Sequence, residues 1–563
     1  MILQPIIDLA AICAKKGIKN VILSPGSRCA PITLAFVRHP EIHCRTIADE
    51  RSAAFIALGM AQQLEKPVVL VCTSGSAALN YAPAVAEAFF QQIPLIVITA
   101  DRPAEWIDQW DGQTIRQENS FGKHIKADFT FPDEFSHPDK IWHAQRITNE
   151  AINKAGQYPC GPVHLNIPLR EPFYPENEEI FSFKNKPRVF DEIKGIPVLS
   201  DDSILKLKTS LEKYRRILIV PGQQRPNPEI TTLLNKIIQD KKAVVVTDVI
   251  SNLQSDHSIT YHDHFLQVQE DQSGICPDLI ISFGKSIISK SLKLFLRKSE
   301  AAHWHIQPNG YVPDTYQRLD KKIQTHPSYL LKLLDENLQA TDESFYDQWK
   351  NAEEKLMYHF PQIMEQADFG EYKAIHECLK HLPSPSKIHL SNSMPVRYVN
   401  FIGIKDSDQE VICNRGTSGI DGSNSTAIGC TFTTKEPVVL ITGDMAFFYD
   451  RNAFWHNYSL PNLRIILLNN HAGGIFRLIE GPSRQPELEE FFETKQKLNA
   501  DFLAQEHGFE YALVEDEVNL KEILKNFYHP SVRPKILEIT SESKKNAQIL
   551  QQIKAAVKQV FEI

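Results

Sequence analysis

The sequence lacks the features that mark several large classes of protein. Among its 563 residues, no apolar run reaches the roughly 18 residues needed to span a bilayer. Its 61 basic and 69 acidic residues are dispersed without a basic run, and the net charge of −8 disfavours nucleic acid as the main partner. The nine cysteines are odd in number and include no CxxC pair, which suggests neither a disulfide framework nor a zinc site.

The N-terminal segment does not read as a targeting signal. It has no basic stretch before its apolar residues, and Asp8 interrupts them, so we predict an amphipathic first helix rather than a signal peptide. Together with unpaired cysteines inside predicted helices and strands, this predicts a cytoplasmic protein without a membrane span.

The length is too great for one hydrophobic core, because domains usually hold about 100–200 residues. Apolar runs alternate with helical patterns, which predicts an α/β protein with doubly wound parallel sheets. We predict domains over residues 1–180, 190–340 and 345–563, with a linker rich in Pro, Glu, Lys and Asn over residues 171–201. The middle domain includes a predicted strand over residues 243–249.

The segment from Pro437 to Phe476 predicts a strand, a helix and a second strand, with polar residues where each strand ends. The first strand ends in Gly443-Asp444, and the second ends in Asn469-Asn470 before a Gly-rich turn. Parallel strands deliver ligand-binding residues at these ends. A carboxylate, a side-chain amide and a backbone carbonyl are oxygen ligands that suit Mg²⁺ together with phosphate oxygens. The start of this segment, PVVL, also repeats at residues 67–70, which suggests two similar sheets.

Four arginines stand just beyond predicted strand ends. An arginine at this position lies in the crevice where open α/β sheets bind ligands, and its planar fork pairs with carboxylates or phosphates. Their recurrence predicts a polyanionic substrate. The four residues are Arg28, Arg102, Arg397 and Arg415.

The Gly443-Asp444 and Asn469-Asn470 pairs, spaced by about two dozen residues, resemble the fingerprint of thiamine diphosphate enzymes. The resemblance implies that Asp444, Asn470 and the backbone of Ala472 hold Mg²⁺ or Mn²⁺. It also implies that Glu50 contacts N1′ of the cofactor's aminopyrimidine and is the indispensable proton-transfer residue. Ile420 would be an apolar wedge under the cofactor, and Met445 would stand where the family usually has a small residue. The further cofactor contacts that the resemblance implies are Thr73, Ser74, Gly75, Ser418, Gly443 and Ala446.

More specific motifs narrow the resemblance. Ser24–Arg28, Asp49–Arg51, Thr73–Gly75, Asp101–Pro103, Gln113–Gln117, Ser391–Ser393 and Asn414–Gly422 together resemble the 2-succinyl-5-enolpyruvyl-6-hydroxy-3-cyclohexene-1-carboxylate synthase family of menaquinone biosynthesis. The resemblance implies that 2-oxoglutarate is decarboxylated and its succinyl carbanion is added to isochorismate. It places substrate contacts at Ser27, Arg28, Arg102, Gln113, Lys290, Ser393, Arg397 and Arg415, with an apolar wall of Ile475, Phe476 and Ile479.

The resemblance further implies a homodimer at minimum, with a homotetramer expected, because Glu50 and Asp444 usually come from different subunits in this family. The chain has Lys290-Ser291 where some relatives have a Lys-Arg pair. The middle domain lacks a G-x-G-x-x-G fingerprint, so we expect no FAD there. Two alternatives stay open: a generic thiamine-dependent 2-oxoacid decarboxylase or acetohydroxyacid synthase, and a non-catalytic α/β ligand-binding protein.

Overall fold

A computed structural model describes residues 3–176, 181–253, 255, 257–404 and 406–562. The strands in this part of the chain are β1 Asn20–Leu23, β2 His43–Thr46, β3 Val68–Cys72, β4 Leu95–Asp101, β5 Asp128–Thr130, β6 Val163–Pro168, β7 Ile217–Pro221, β8 Val244–Val245, β9 Leu279–Phe283, β10 Ala302–Ile306, β11 Leu319–Ile323, β12 Ser386–Leu390, β13 Gln409–Cys413, β14 Val438–Gly443, β15 Leu463–Asn469, β16 Glu510–Val514 and β17 Lys535–Thr540.

The helices are α1 Gln4–Lys15, α2 Ala30–Val37, α3 Glu50–Leu64, α4 Ser76–Asn80, α5 Ala82–Gln91, α6 Pro138–Gly156, α7 Asp201–Leu211, α8 Pro228–Gln239, α9 His262–Val268, α10 Lys290–Lys298, α11 Pro327–Asn337, α12 Glu343–Gln366, α13 Glu371–Lys380, α14 Met394–Ile402, α15 Ser423–Thr431, α16 Asp444–Tyr449, α17 Asp501–Glu506, α18 Glu517–Phe527 and α19 Ser543–Glu562. Within the described residues, no helix is both long and apolar enough to cross a membrane.

The described chain forms two compact units. The first unit comprises residues 1–194, 414–435 and 446–463, and the second comprises residues 195–413, 436–445 and 464–563. The three domain ranges predicted from the sequence remain predictions.

The first unit contains a six-stranded parallel sheet in the order β2-β1-β3-β4-β6-β5. Strands β3 and β4 are buried along their whole length, as expected for a parallel sheet covered on both faces. Helices α1, α2 and α6 share a core with Val69 and Ile96 on one face. Helix α15 packs closely on α3. A Cβ added to Gly59 of α3 would lie only 2.1 Å from the carbonyl oxygen of Thr426 in α15, which shows how near the two helices lie.

The second unit contains two parallel sheets, of which the smaller has the order β11-β10-β9-β7-β8. Alternate residues of β7 face opposite sides of this sheet. Ile217 and Ile219 pack with α8 and α11, whereas Leu218 and Val220 pack in a core that contains Trp349 of α12. Both faces are therefore covered by helices.

The larger sheet of the second unit has the order β13-β12-β14-β15-β17-β16. When the strands of each sheet are numbered from its own first strand, this sheet and that of the first unit share the order 2-1-3-4-6-5. The repeated PVVL segments occupy equivalent positions in β3 and β14. The order reverses between β1 and β3, and again between β12 and β14, and open α/β sheets bind ligands at such points. The predicted class of three parallel α/β sheets is confirmed.

The predicted strand over residues 243–249 is wrong in its length. Strand β8 covers only Val244–Val245, and a 3-10 turn follows at Val249–Ser251. The chain leaves the sheet because its next polar groups bond elsewhere: the Asp248 carboxylate accepts from the backbone N–H of Ser289 over 3.2 Å, and Val249 N donates to Asn400 Oδ1 over 3.1 Å.

The predicted linker contains no helix or strand in its described part before α7 begins at Asp201. Residues 177–180 of this segment lie outside the described residues.

Buried histidines should make the fold sensitive to acid. Burial lowers the pKa of His389 from 6.5 to about 3 and that of His264 from 6.5 to about 4. The unfolded chain takes up protons near pH 6.5 while these folded rings stay neutral, so stability present above that pH is lost as the pH falls towards 4. We expect the midpoint of thermal unfolding, measured by calorimetry, to decrease over this range.

His389→Gln should make this decrease smaller, because one depressed titration is removed. His529→Gln, which changes an exposed ring, should leave it unchanged. An identical pH dependence in both variants would contradict the prediction.

Candidate active site

The Asp444 carboxylate lies at the polar edge of the larger sheet of the second unit, where β14 ends and α16 begins. Asp444 is 2% exposed, and burial raises the pKa of its carboxyl to about 6. Gln496 Nε2 donates to its Oδ2 over 2.8 Å, but within the described residues no Lys or Arg forms an ion pair with it. A buried carboxylate without a cationic partner is a site where a metal ion would be stabilised.

Asn470 and Ala472 lie beside Asp444 in the turn that follows β15. The backbone N–H of Ala472 donates to Asn470 Oδ1 over 3.0 Å. The same N–H lies near enough to the Asp444 carboxyl to offset part of the effect of burial on that pKa. His471, between them, has a φ of 56°, which turns the chain sharply. The fold thus brings together the three residues predicted to hold the metal, with a donor set that suits Mg²⁺.

The loops after β1, β3 and β4 form a polar edge in the first unit. A Cβ added to Gly26 would lie 2.3 Å from Thr73 Cβ, and one added to Gly75 would lie 3.2 Å from the backbone of Gln113. The hydroxyl groups of Thr73 and Ser74 are buried and have no hydrogen-bond partner among the described residues. Two unsatisfied hydroxyls therefore lie where cofactor contacts are predicted.

Arg28 and Arg102 lie near one another at this edge of the first unit. Arg28 is 7% exposed, and its pKa lies below its usual range because of burial and, next in size, the positive charge of Arg102. Arg102 forms an ion pair with Asp111 over 2.7 Å. Ser27 is exposed, with its hydroxyl 3.3 Å from that of Tyr174. Neighbouring guanidinium groups attract anions with several negative oxygens.

Glu50 is the first residue of α3. The preceding residue, Asp49, caps the helix by accepting from Ser52 N over 3.0 Å, so Glu50 is not needed for capping. Glu50 is half-buried, and its charge adds to the larger effect of burial in raising the pKa of Cys72 and of Tyr81. It therefore lies near the carboxyl end of β3.

The loop over residues 414–422 is held by the buried carboxylate of Glu87. This carboxylate accepts from the backbone N–H groups of Gly416 and Thr417 over 2.8 and 2.6 Å, and from the Thr417 hydroxyl over 2.6 Å. Glu87 is 1% exposed, so these bonds are shielded from water. They fix the loop that carries Arg415, Ser418 and Ile420.

Ser393 and Arg397 lie in the loop and helix that follow β12. Arg397 Nη1 donates to the Ser393 carbonyl. Gly443 N donates to Ser391 Oγ over 3.3 Å, which joins this loop to the end of β14. Lys290, at the start of α10, is exposed and makes no hydrogen bond or ion pair with Ser393 or Arg397 in the described part of the chain. Ser291, the residue that departs from some relatives, lies near the Asp263 carboxyl, which accepts a hydrogen bond from the Ser289 hydroxyl over 2.5 Å.

The three residues of the predicted apolar wall follow the turn after β15. Ile475 and Phe476 lie in a 3-10 turn, where Ile475 packs against the core of the larger sheet. The ring of Phe476 is centred 6.0 Å from that of Phe492. Ile479 is 39% exposed. The structure therefore anchors the first two in packed positions and leaves the third open to solvent.

Known proteins match the chain along nearly its whole length. Three family models match it in order: the thiamine pyrophosphate enzyme N-terminal TPP binding domain at 8–121, the middle domain of thiamine pyrophosphate at 208–390, and the C-terminal TPP binding domain at 396–539. A 2-succinyl-5-enolpyruvyl-6-hydroxy-3-cyclohexene-1-carboxylate synthase of Cytophaga hutchinsonii is 46% identical and covers 99% of this chain and 100% of that protein. Synthases of the same name from Christiangramia forsetii and Porphyromonas gingivalis are 38% and 37% identical, over 96% and 95% of this chain and 97% and 94% of those proteins. The chain belongs to this synthase family.

Membership in the synthase family confirms the resemblance found in the motifs and the thiamine diphosphate cofactor. The residues present fit this group with a divalent cation. A diphosphate needs a counter-ion and backbone donors, and the edge near Gly443 provides a buried carboxylate next to a helix start. In the first unit, the unsatisfied hydroxyls of Thr73 and Ser74 provide further polar contacts.

Sequence reasoning missed several polar side chains that hold the site segments in place. Gln117 Oε1 accepts from Gly75 N over 2.7 Å, and its place in the Gln113–Gln117 motif was the only available signal. Glu371 Oε1 accepts from Asn470 Nδ2 over 2.6 Å, and burial raises the pKa of Glu371 to about 7. Neither Glu371 nor Glu87 stands at a strand end, so strand-end patterns could not identify them.

The Glu87 contacts predict a specific loss of order. Glu87→Gln would turn an amide NH₂ group towards one of the backbone donors, and hydrogen bonds to charged groups contribute about 1.5–3 kcal/mol each. We expect the loop over residues 414–422 to loosen and trypsin to cleave after Arg415 several-fold faster, measured by limited proteolysis with mass spectrometry. The control variant Glu65→Gln changes an exposed position after α3, and trypsin should cleave it after Arg415 at the same rate as the unmodified protein. Equal cleavage in both variants would refute this role of Glu87.

Proposed function

We propose that the chain decarboxylates 2-oxoglutarate and adds the remaining succinyl unit to isochorismate. The products are 2-succinyl-5-enolpyruvyl-6-hydroxy-3-cyclohexene-1-carboxylate and CO₂, in menaquinone biosynthesis. The observation that carries the proposal is the 46% identity to a synthase of this name over 99% of the chain. The arginines beyond the strand ends support it, because both substrates are dicarboxylates.

The cation and the diphosphate would be held at the end of β14. Asp444, Asn470 and the Ala472 carbonyl would bind Mg²⁺ or Mn²⁺, and backbone N–H groups between Gly443 and Ala446 would face the diphosphate. Thiamine diphosphate, when bound, would supply the electron sink for the decarboxylation. Met445 would lie against the cofactor in place of a smaller residue.

Glu50 would hold the proton that the reaction requires. Its carboxyl would contact N1′ of the aminopyrimidine, which is the role that the family resemblance gives it. Its position near the end of β3, where the residue is half-buried, supports this role. Ile420 would support the bent cofactor from below, on a loop that Glu87 holds rigid. Thr73, Ser74, Gly75 and Ser418 would complete the contacts.

The arginines would bind the substrate carboxylates through paired hydrogen bonds. Holding both substrates by their carboxylates would bring the reacting carbons together and convert a bimolecular encounter into a nearly unimolecular step. Ile475, Phe476 and Ile479 would exclude water on one side. The proposed polar contacts are Ser27, Arg28, Arg102, Gln113, Lys290, Ser393, Arg397 and Arg415.

The proposed active unit is a homodimer at minimum, with a homotetramer expected, in which Glu50 and Asp444 come from different subunits. We propose the cytoplasm as its location. All nine cysteines are free thiols, which supports a reducing compartment.

The reaction can be tested by following isochorismate absorbance with thiamine diphosphate, Mg²⁺ and 2-oxoglutarate. Isochorismate should disappear only when 2-oxoglutarate is present, and Glu50→Gln should lower the rate at least about 100-fold because it removes an acid–base group. Glu65→Gln is the matched control and should retain the rate. Consumption of pyruvate with isochorismate untouched would instead favour a generic thiamine-dependent decarboxylase or ligase.

The dicarboxylate assignment predicts a selective effect at Arg397. Arg397→Lys keeps the charge but loses the planar fork, so we expect KM for one of the two substrates to rise about 10-fold or more with a smaller change in kcat. Steady-state kinetics with each substrate varied in turn would measure this. Arg188→Lys, at an exposed position, should leave both KM values unchanged. Unchanged KM values in Arg397→Lys would remove this residue from the substrate site.

A further inference from the structure

Glu371 occupies a buried position that its neighbours define closely. It is the first residue of α13 and is 2% exposed. Its backbone N–H donates to Asn546 Oδ1 over 3.1 Å. A Cβ added to the preceding Gly370 would lie 2.6 Å from Ile549 Cδ1 and 2.8 Å from Asn546 Oδ1, so a larger residue there would displace these two side chains of α19. The start of α13, which carries Glu371, is therefore held against α19.

The Glu371 carboxylate bonds to the amide group of Asn470. Its Oε1 accepts from Asn470 Nδ2 over 2.6 Å. Tyr398 and Ser541 lie near enough to offset part of the effect of burial on the pKa of Glu371. Glu371 Oε1 is the acceptor in this bond, so it faces the NH₂ end of the amide. Asn470 Oδ1 is thereby turned the other way, where it accepts from Ala472 N over 3.0 Å.

This orientation matters because the two ends of the amide have opposite chemistry. Only Oδ1 can bind a cation, whereas a rotated amide would present its NH₂ group to the metal. Gln496 Nε2 donates both to Asp444 Oδ2 over 2.8 Å and to Asn469 Oδ1 over 3.1 Å, so Asp444 lies beside the turn that carries Asn470. The orientation that Glu371 sets therefore keeps Oδ1 on the side of the amide that faces this turn. Within the described residues, no Lys or Arg forms an ion pair with Glu371 or Asp444.

We propose that Glu371 is a positioning residue for metal binding, which acts by holding the Asn470 amide with Oδ1 directed at the cation. This inference rests on the proposed function, because it takes Asp444, Asn470 and Ala472 as the metal ligands. Removing a side chain that hydrogen-bonds to a metal ligand, without binding the metal itself, typically weakens metal binding 10–100-fold.

The test measures Mn²⁺ affinity at saturating thiamine diphosphate, from the electron paramagnetic resonance signal of free Mn²⁺. Glu371→Ala removes the acceptor, and we expect the Kd for Mn²⁺ to rise about 10–100-fold. Glu371→Gln keeps an acceptor oxygen and loses the charge, so Kd should stay within about 3-fold of the unmodified protein if orientation is what Glu371 provides. Equal weakening in Glu371→Gln and Glu371→Ala would overturn positioning and assign the effect to charge.

Glu353→Ala is the matched control for burial. Glu353 is 4% exposed in the same unit, and its carboxylate accepts from the backbone N–H groups of Thr260 and Tyr261, each over 2.9 Å, without contact to the proposed ligands. This variant should lose thermal stability but keep the Mn²⁺ affinity. If it weakened Mn²⁺ binding as much as Glu371→Ala, the effect would be structural and the proposal would fail.

Two outcomes separate this inference from the proposed function. If the unmodified protein bound no Mn²⁺, or Asp444→Asn left binding intact, the proposed metal site would fail. If both behaved as expected but Glu371→Ala bound Mn²⁺ normally, only the role of Glu371 would be refuted.

Should Glu371→Ala not fold, Glu371→Asp replaces it. Its side chain is one methylene shorter, so the Kd for Mn²⁺ should rise while that of Glu371→Gln stays near normal. Equal affinity in these two variants would then refute the role.

Discussion

The burial of two carboxylates beside one amide is the constraint on which the proposed metal-binding edge depends. Asp444 and Glu371 are each 2% exposed, and the charge of Asp444 adds to the burial that raises the pKa of Glu371 to about 7. Burying an ionised carboxylate is costly unless a proton or a cation compensates its charge. A divalent cation bound by Asp444 would supply the missing charge, so metal binding and the order of this edge are expected to be coupled.

The sheet topology explains how this edge is built. Parallel strands end at one side of a sheet, and where the strand order reverses, the loops that follow neighbouring strands diverge and leave a crevice. The sheet of the first unit and the larger sheet of the second unit have the same order, and the predicted site loops follow β1 and β3 in one and β12 and β14 in the other. Shared topology thus gives each unit a polar edge with its own chemistry.

The loops at these edges combine strained backbone with rigid support. Gln113, Ser393, Ser418 and His471 all have positive φ values, between 55° and 76°, which non-glycine residues rarely adopt. Such conformations persist when the surroundings determine them, and they cluster at functional sites. Buried side chains provide this support nearby: Glu87 bonds to the residues just before Ser418.

The sequence by itself determined the fold class, the family and much of the proposed site. Periodic apolar runs indicate parallel strands directly, and residues at strand ends must meet at one edge, which grouped Asp444 with the Asn469-Asn470 turn. The resemblance to thiamine diphosphate enzymes then singled out Asn470 and Ala472. The sequence predicted the ends of strands less well. Asp248 is an example, because its carboxylate bonds to the distant residue Ser289 and the backbone leaves the sheet before this position.

Only the tertiary structure decided which side chains support the site. Glu371 and Asn470 are 99 residues apart, and Glu87 and Gly416 are 329 apart. A glutamate in a helix has the same local pattern whether it faces water or a buried amide. The packing of α13 against α19 decides the position of Glu371, because a hydrogen bond between distant segments depends on three-dimensional distance, which the order of residues does not encode locally.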